Sequence, residues 1–177
     1  MKKLLVVTMT LFAILTGCAT QQPAIKPVSK VDIPRFMGDW YVVGVIPTSI
    51  ETEAFNPVEN YALDKDGTIN TTFTFNKGSL TGTKKTYNPR GFVKAETNNA
   101  VWGMQFIWPI KAEYIIAHLD ENYTKTIIAR NARDYVWIMS RTPNLPAEEF
   151  NQLKKRVSDM GYDMSKLIQP QHNSKAQ

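Results

Sequence analysis

The sequence predicts an all-β domain: eight short antiparallel strands closing up-and-down into one small barrel, with a C-terminal amphipathic helix packed outside. Three observations predict it. From Trp40 to Arg141, short runs rich in Val, Ile, Thr, Phe and Tyr are separated by turn residues. Near the end, Phe150, Leu153, Val157 and Met160 recur at spacings of three and four. Finally, Arg35-Phe36-Met37-Gly38-Asp39-Trp40-Tyr41 places a glycine two residues before a tryptophan at the opening of the first run. At 177 residues, with 43% hydrophobic and 21% charged, the chain has the size and composition of one globular domain.

The strands are predicted at 40–46, 59–63, 69–75, one within 81–93, then 101–107, 113–119, 125–129 and 135–140. Asp64-Lys65-Asp66-Gly67 supplies the glycine-bearing turn of a hairpin between the second and third. Pro89 falls inside the fourth and leaves its register open, because proline cannot donate to a ladder. In the third strand Ile69, Thr71, Phe73 and Phe75 share one face, while Asn70, Thr72 and Thr74 share the other, so the apolar set is expected inside. The helix interleaves Glu149, Lys154, Lys155 and Arg156 with its apolar stripe, reads as solvated on that face, and stops at Gly161.

The N-terminus differs in kind. Lys2 and Lys3 precede an apolar run from Leu4 to Leu15, which is shorter than the ~20 residues a membrane helix needs. The run reads as a secretion signal over 1–17. Leu15-Thr16-Gly17-Cys18 resembles the lipobox of bacterial lipoproteins, in which the cysteine thiol takes a diacylglycerol and becomes the first mature residue. Two or three acyl chains on Cys18 would make a durable membrane anchor. Ala19 follows where retained inner-membrane lipoproteins often carry Asp, so the resemblance implies the outer membrane, with the body facing the periplasm. Cys18 is the single cysteine, which leaves the body without an internal disulfide or a catalytic thiol. The polar, proline-bearing residues up to Lys30 read as a flexible tether. A formal charge of +5, reduced by loss of Lys2 and Lys3, is too mild to argue nucleic-acid binding.

Four motifs in order carry a resemblance to the bacterial outer-membrane lipoprotein lipocalins and their apolipoprotein D-like and plant temperature-induced relatives. They are the Asp32 to Tyr41 segment; Leu119-Asp120-Glu121-Asn122-Tyr123; Asp134-Tyr135-Val136-Trp137-Ile138-Met139-Ser140-Arg141-Thr142-Pro143; and Gly161-Tyr162-Asp163-Met164-Ser165-Lys166-Leu167-Ile168. The resemblance implies a lipidated Cys18 and tether over 18–30, a lipocalin domain over 31–170 and a polar tail over 171–177. It further implies a floor made by Gly38, Trp40 and Arg141, where a guanidinium over an indole gains a cation–π contact of ~0.5–2 kcal/mol.

Applied to each strand, the family's inward parity selects a cavity of Val42, Ile46, Glu59, Tyr61, Phe73, Phe75, Trp102, Met104, Phe106, Tyr114, Ile116, His118, Tyr135 and Trp137, with Gly44 and Met139 on the same faces. The same residues would serve a filled core. Lys77, Trp108, Lys111, Arg130 and Arg133 fall in the connections around the mouth, where cations suit a carboxylate or phosphate outside an apolar cup. Glu59 and His118 are isolated in sequence, without metal-ligand spacing, and read as interior hydrogen-bonding residues.

The expected function is therefore binding, without catalysis, cofactor or metal: a membrane-anchored carrier of fatty acids or lysophospholipids for storage, scavenging or transport, in membrane maintenance under stress. A ring-type ligand such as a bilin, haem or retinoid is the alternative, as is a structural lipoprotein with a filled barrel. The family's known isomerase uses a cavity cysteine, which Cys18 cannot supply, and no G-x-S-x-G turn is present. An integral membrane barrel with its apolar face outward is the topological alternative, against which the lipobox-like segment, the short strands and the terminal helix argue; a homodimer stays open.

Overall fold

The computed structural model describes residues 22–173, so the signal segment and Cys18 lie outside the described residues. Asp32 accepts a hydrogen bond from Arg35 N, and Pro34 lacks the N–H that the first turn would leave unused. One helical turn results, α1 (Ile33–Phe36), which the strand pattern did not predict. At Gly38 the chain takes φ +92°, a left-handed conformation open to glycine, and turns into the first strand.

Nine strands follow: β1 (Gly38–Ile46), β2 (Ala54–Leu63), β3 (Ile69–Lys77), β4 (Thr83–Tyr87), β5 (Arg90–Val93), β6 (Val101–Ile107), β7 (Ile110–Leu119), β8 (Lys125–Ala129) and β9 (Val136–Ser140). All pairings are antiparallel, and β1 pairs with both β2 and β9 while β2 pairs with β3, which closes the sheet on itself. The barrel has eight places for these nine strands. β4 meets β3 along Phe73 to Lys77 and β5 meets it at Ile69 and Asn70, so the fourth place is shared by two pieces. The break falls at Asn88-Pro89, where the proline donates nothing and its carbonyl accepts Thr71 N instead.

The helix α2 (Ala147–Asp159) lies across the outside and buries Phe150, Leu153 and Val157 against Val43, Ile115, Ile127, Val136 and Ile138. Burying such side chains stabilises by about 1.5–3 kcal/mol each. Gly44 is the contact point: a Cβ there would lie 3.0 Å from the Phe150 ring. On β3 the outer face is polar, with Asn70, Thr72, Thr74 and Asn76 turned away from its buried residues. That is the opposite of a lipid-facing apolar belt.

Two irregularities correct the expected parity. In β1 the register shifts between Val42 and Gly44, after which Val45 points inside and Ile46 joins the cluster under α2. In β7 it shifts between Ile116 and His118, which turns His118 out beside Gln152, Leu153 and Arg156 of the helix. A bulge adds one residue and exchanges the faces of everything beyond it.

Both ends of the domain are also tied down. Residues 22–30, expected as part of a flexible tether, lie along the barrel: Arg133 donates to Pro23 O, Ile25 N donates to Asn131, and Val28 N donates to Ile116 O. In the polar tail, a ring nitrogen of His172 hydrogen-bonds Val42 O and Asn173 N donates to Asn56.

The end formed by α1 is sealed. Arg141 Cζ lies 3.8 Å from the centre of the Trp40 ring, which is fully buried and donates its own Nε1 to Phe36 O. The same guanidinium donates to the carbonyls of Arg35, Phe36, Met37, Asp39 and Tyr123. Arg141→Ala should cost roughly 2–4 kcal/mol and lower the melting temperature by about 5–15 °C while changing oleate affinity little. A thermal melt and a titration on the same preparation check this, and an unmoved melt would count against the clamp.

Candidate functional site

Above the floor the barrel is filled before it opens. Phe36 packs on Trp40 with ring centres 5.0 Å apart, and Trp102 stacks on Tyr114 at 5.1 Å. Val42, Phe73, Phe75, Trp102 and Ile116, expected in the cavity, are buried in the packed interior and are not among the residues that line it. Ile46 and His118 are outside the barrel altogether.

The cavity occupies the upper half. Glu59, Tyr61, Met104, Phe106, Tyr114, Tyr135 and Trp137 line it, together with Met139, Arg130, Thr48, Ala112, Glu113 and Ile128. It encloses about 110 Å3, and free space out to the mouth is about 570 Å3. Thr48 and Glu113 carried no signal because a loop residue and a strand-edge acid look solvated in sequence. Ile128 was hidden by its neighbour Ile127, which is equally apolar but faces α2.

A row of polar groups crosses the base of the cavity. Tyr61 donates to Glu59 at 2.7 Å, and the Tyr61 and Tyr114 hydroxyls are also 2.7 Å apart. A hydroxyl has one proton, so while Tyr61 gives its own to Glu59, Tyr114 must be the donor to Tyr61. Burial pushes the Glu59 carboxyl up to about 7; the Tyr61 hydrogen bond pulls it down, and the Glu51 charge adds to the rise. Burial likewise holds both tyrosines well above their ordinary range. The row therefore carries at most one charge, and loses it in mild acid.

Glu51, which sequence reasoning missed, is a second buried acid. Its carboxylate accepts from Trp137 Nε1 at 2.9 Å and from Thr48 N and Oγ1 at 2.8 and 2.9 Å. It thereby holds the indole against the cavity wall and closes the β1–β2 connection. His118 is separated from this network by the barrel wall, and its pKa is lowered first by burial and then by Arg156.

Around the mouth the cations are less free than expected. Arg133 is spent on the carbonyls of Met160, Asn131 and Pro23, so it holds the N-terminal segment and the end of α2 in place. Lys77 lies 3.8 Å from Glu53, and Lys111 Nζ sits 3.4 Å over the Phe92 ring. Arg130 alone among these lines the cavity. It pairs with Asp134 at 2.9 Å, covers the Tyr135 ring, and leaves its Nε buried without a hydrogen-bond partner.

A closed antiparallel barrel with one arginine-sealed end, one open end and a helix laid outside defines a small-ligand binding protein. Residues 31–172 match the family described as lipocalin-like domain, and the chain belongs to the lipocalin family, whose members bind small hydrophobic ligands and are generally carriers and not enzymes. It is 30% identical to temperature-induced lipocalin-1 of Arabidopsis thaliana, over 84% of this chain and 83% of that one. It is also 26% identical to the outer membrane lipoprotein Blc of Vibrio cholerae, over 88% and 91% of the two chains. Among solved structures, insecticyanin from the tobacco hornworm Manduca sexta superposes with a TM-score of 0.68 at 18% identity, covering 86% of each chain, a likeness of fold.

The raised Glu59 pKa makes stability depend on pH. The folded state binds this proton more tightly than the unfolded state, so stability falls as pH rises from 4.5 through about 7. Glu59→Gln should remove that fall and stabilise the protein by roughly 2–3 kcal/mol at pH 8 relative to wild type, with little difference at pH 4. Urea unfolding at the two pH values measures it; equal gains at both would rule out a buried, protonated Glu59.

Proposed function

We propose that this lipocalin is a membrane-anchored lipid-binding protein. It holds a fatty acid or lysophospholipid in the barrel cavity, for storage, scavenging or transport in membrane maintenance under stress. The observation that carries this reading is the size of the free space. A cavity of about 110 Å3 is smaller than the ~300 Å3 at which ordinary ligand pockets begin. Such a space suits one acyl chain better than a bilin or haem.

The chemistry of the walls agrees. Below about pH 7 a protonated Glu59 and two neutral tyrosines put no charge against a chain end, and Arg130 stands beside the mouth with a buried donor unused. A carboxylate or phosphate at that level would meet the one lining cation, worth more there than in bulk water. Lys77, Lys111 and Trp108 would supply the outer contacts of a headgroup. Arg133 would act indirectly, by shaping the rim.

Anchoring is the second half of the proposal. Acylation of Cys18 and an outer-membrane address facing the periplasm rest on the lipobox-like segment, and the relatives called outer membrane lipoprotein Blc in Vibrio cholerae and Escherichia coli support them.

Ala112 lines the cavity and has the smallest side chain there, so Ala112→Phe should fill the space from the side. Quenching of Trp137 by oleate should then require at least tenfold more ligand, with the melting temperature preserved. Native mass spectrometry of wild type purified from its own membrane should show a bound lipid; a persistently empty, ligand-refractory barrel would instead support a structural lipoprotein.

A further inference from the structure

We propose that the open end of the barrel docks on the surface of an anionic phospholipid bilayer through the apolar tip of the β6–β7 hairpin, so that the mouth faces the lipid. Of the seven large hydrophobic side chains exposed in the described residues, four stand consecutively on this tip: Phe106 at 49%, Ile107 at 72%, Trp108 at 82% and Ile110 at 68%. Pro109 completes it. So concentrated an apolar projection is costly in water and marks a contact surface.

Composition selects the contact. Tryptophan favours the headgroup level of a bilayer, where its ring is apolar on one side and its N–H finds water or ester oxygens on the other. Flanking isoleucines would reach just below that level. The adjacent charge is Lys111, held over Phe92 at the base of the tip, whereas the nearest acid, Glu113, is turned to Asn131 and accepts two hydrogen bonds from it. The tip therefore presents apolar surface and positive charge together, which suits anionic lipid.

Position makes the contact useful. Phe106 and Ala112, on the two sides of the tip, line the cavity, so an acyl chain could pass from bilayer to barrel along one continuous apolar wall.

The path of the N-terminal segment points the same way. Pro23 and Ile25 are held by Arg133 and Asn131 in the β8–β9 connection, which is also at the open end. Gln22 lies there too, against Asn131, Ala132 and Arg133. Cys18 stands four residues upstream, a reach of at most about 14 Å. This second argument rests on the acylation reading above: an anchor at Cys18 would hold the mouth end, and not the sealed floor, against the membrane.

The test uses the processed full chain on vesicles of phosphatidylethanolamine and phosphatidylglycerol carrying brominated acyl chains. Trp108→Phe is expected to fold normally because the ring is exposed, and the difference between its emission and that of wild type isolates Trp108. Shallow bromines should quench the Trp108 component at least twofold, with aqueous iodide having little effect. Quenching by iodide and not by bromine would overturn the proposal, as would protection from both with a cross-linked pair, which would assign the tip to a second copy of the chain. Intact mass reads acylation of Cys18 separately. A chain without acyl groups would end the anchoring reading, while bromine quenching would still decide the hairpin.

Discussion

The clamp of Arg141 on the floor is the constraint on which the rest of this barrel depends. The carbonyls at the end of a helix have no partners within it, and α1 is too short to satisfy any but its first. Arg141, arriving from the far end of the domain, supplies donors to the carbonyls of Arg35, Phe36 and Met37 and stacks on Trp40 in the same pose. One planar, permanently charged group thus joins the first strand to the last and keeps water from the aromatic layer above. A lysine could not do this, because it offers a point charge in place of a fork and a face. The turn at Asp120 reinforces the seal: Arg35 lies 4.0 Å over the Tyr123 ring, and Tyr123 takes a hydrogen bond from Asp32 N.

With one end closed, the wall must serve two clients. It has to present apolar residues inward to the core and cavity, and outward to α2. Simple alternation can do either along a strand, but the bulges in β1 and β7 let each strand change allegiance part-way. Val42 and Val45 enter the interior while Val43, Gly44 and Ile46 receive the helix. His118 is the by-product in β7, an inward residue by alternation that ends beside Arg156. Packing on both faces makes the register costly to slip, because a shift would expose one apolar set in order to bury the other.

The two ends of the barrel then differ in what they do with apolar surface. At the floor it is buried beneath hydrogen-bonded arginine; at the mouth Ile107, Trp108 and Ile110 are left uncovered. Between them the row of Glu59, Tyr61 and Tyr114 marks where close packing gives way to free space. Burial raises its acid to about 7, so below that pH the polar base of the cavity is uncharged and compatible with an apolar occupant.

The sequence by itself determined the strand runs and the amphipathic helix, because those follow from short-range alternation and turn chemistry. The stripe of Phe150, Leu153 and Val157 was readable for that reason, while the closed barrel and the pairing of Trp40 with Arg141 followed from the resemblance that the ordered motifs carry. Only the tertiary structure decided how deep the filling goes, which faces the bulges reverse, and which rim cations are spent. Phe73 and Phe75 point inward as alternation demands, yet they pack on one another and on Tyr87 instead of bounding free space. Arg133 looks like a free rim charge until three carbonyls from separate segments converge on it. Periodicity records the side of the sheet on which a residue lies. Whether that side meets a ligand, a neighbour or a helix depends on volumes and partners brought together from distant parts of the chain.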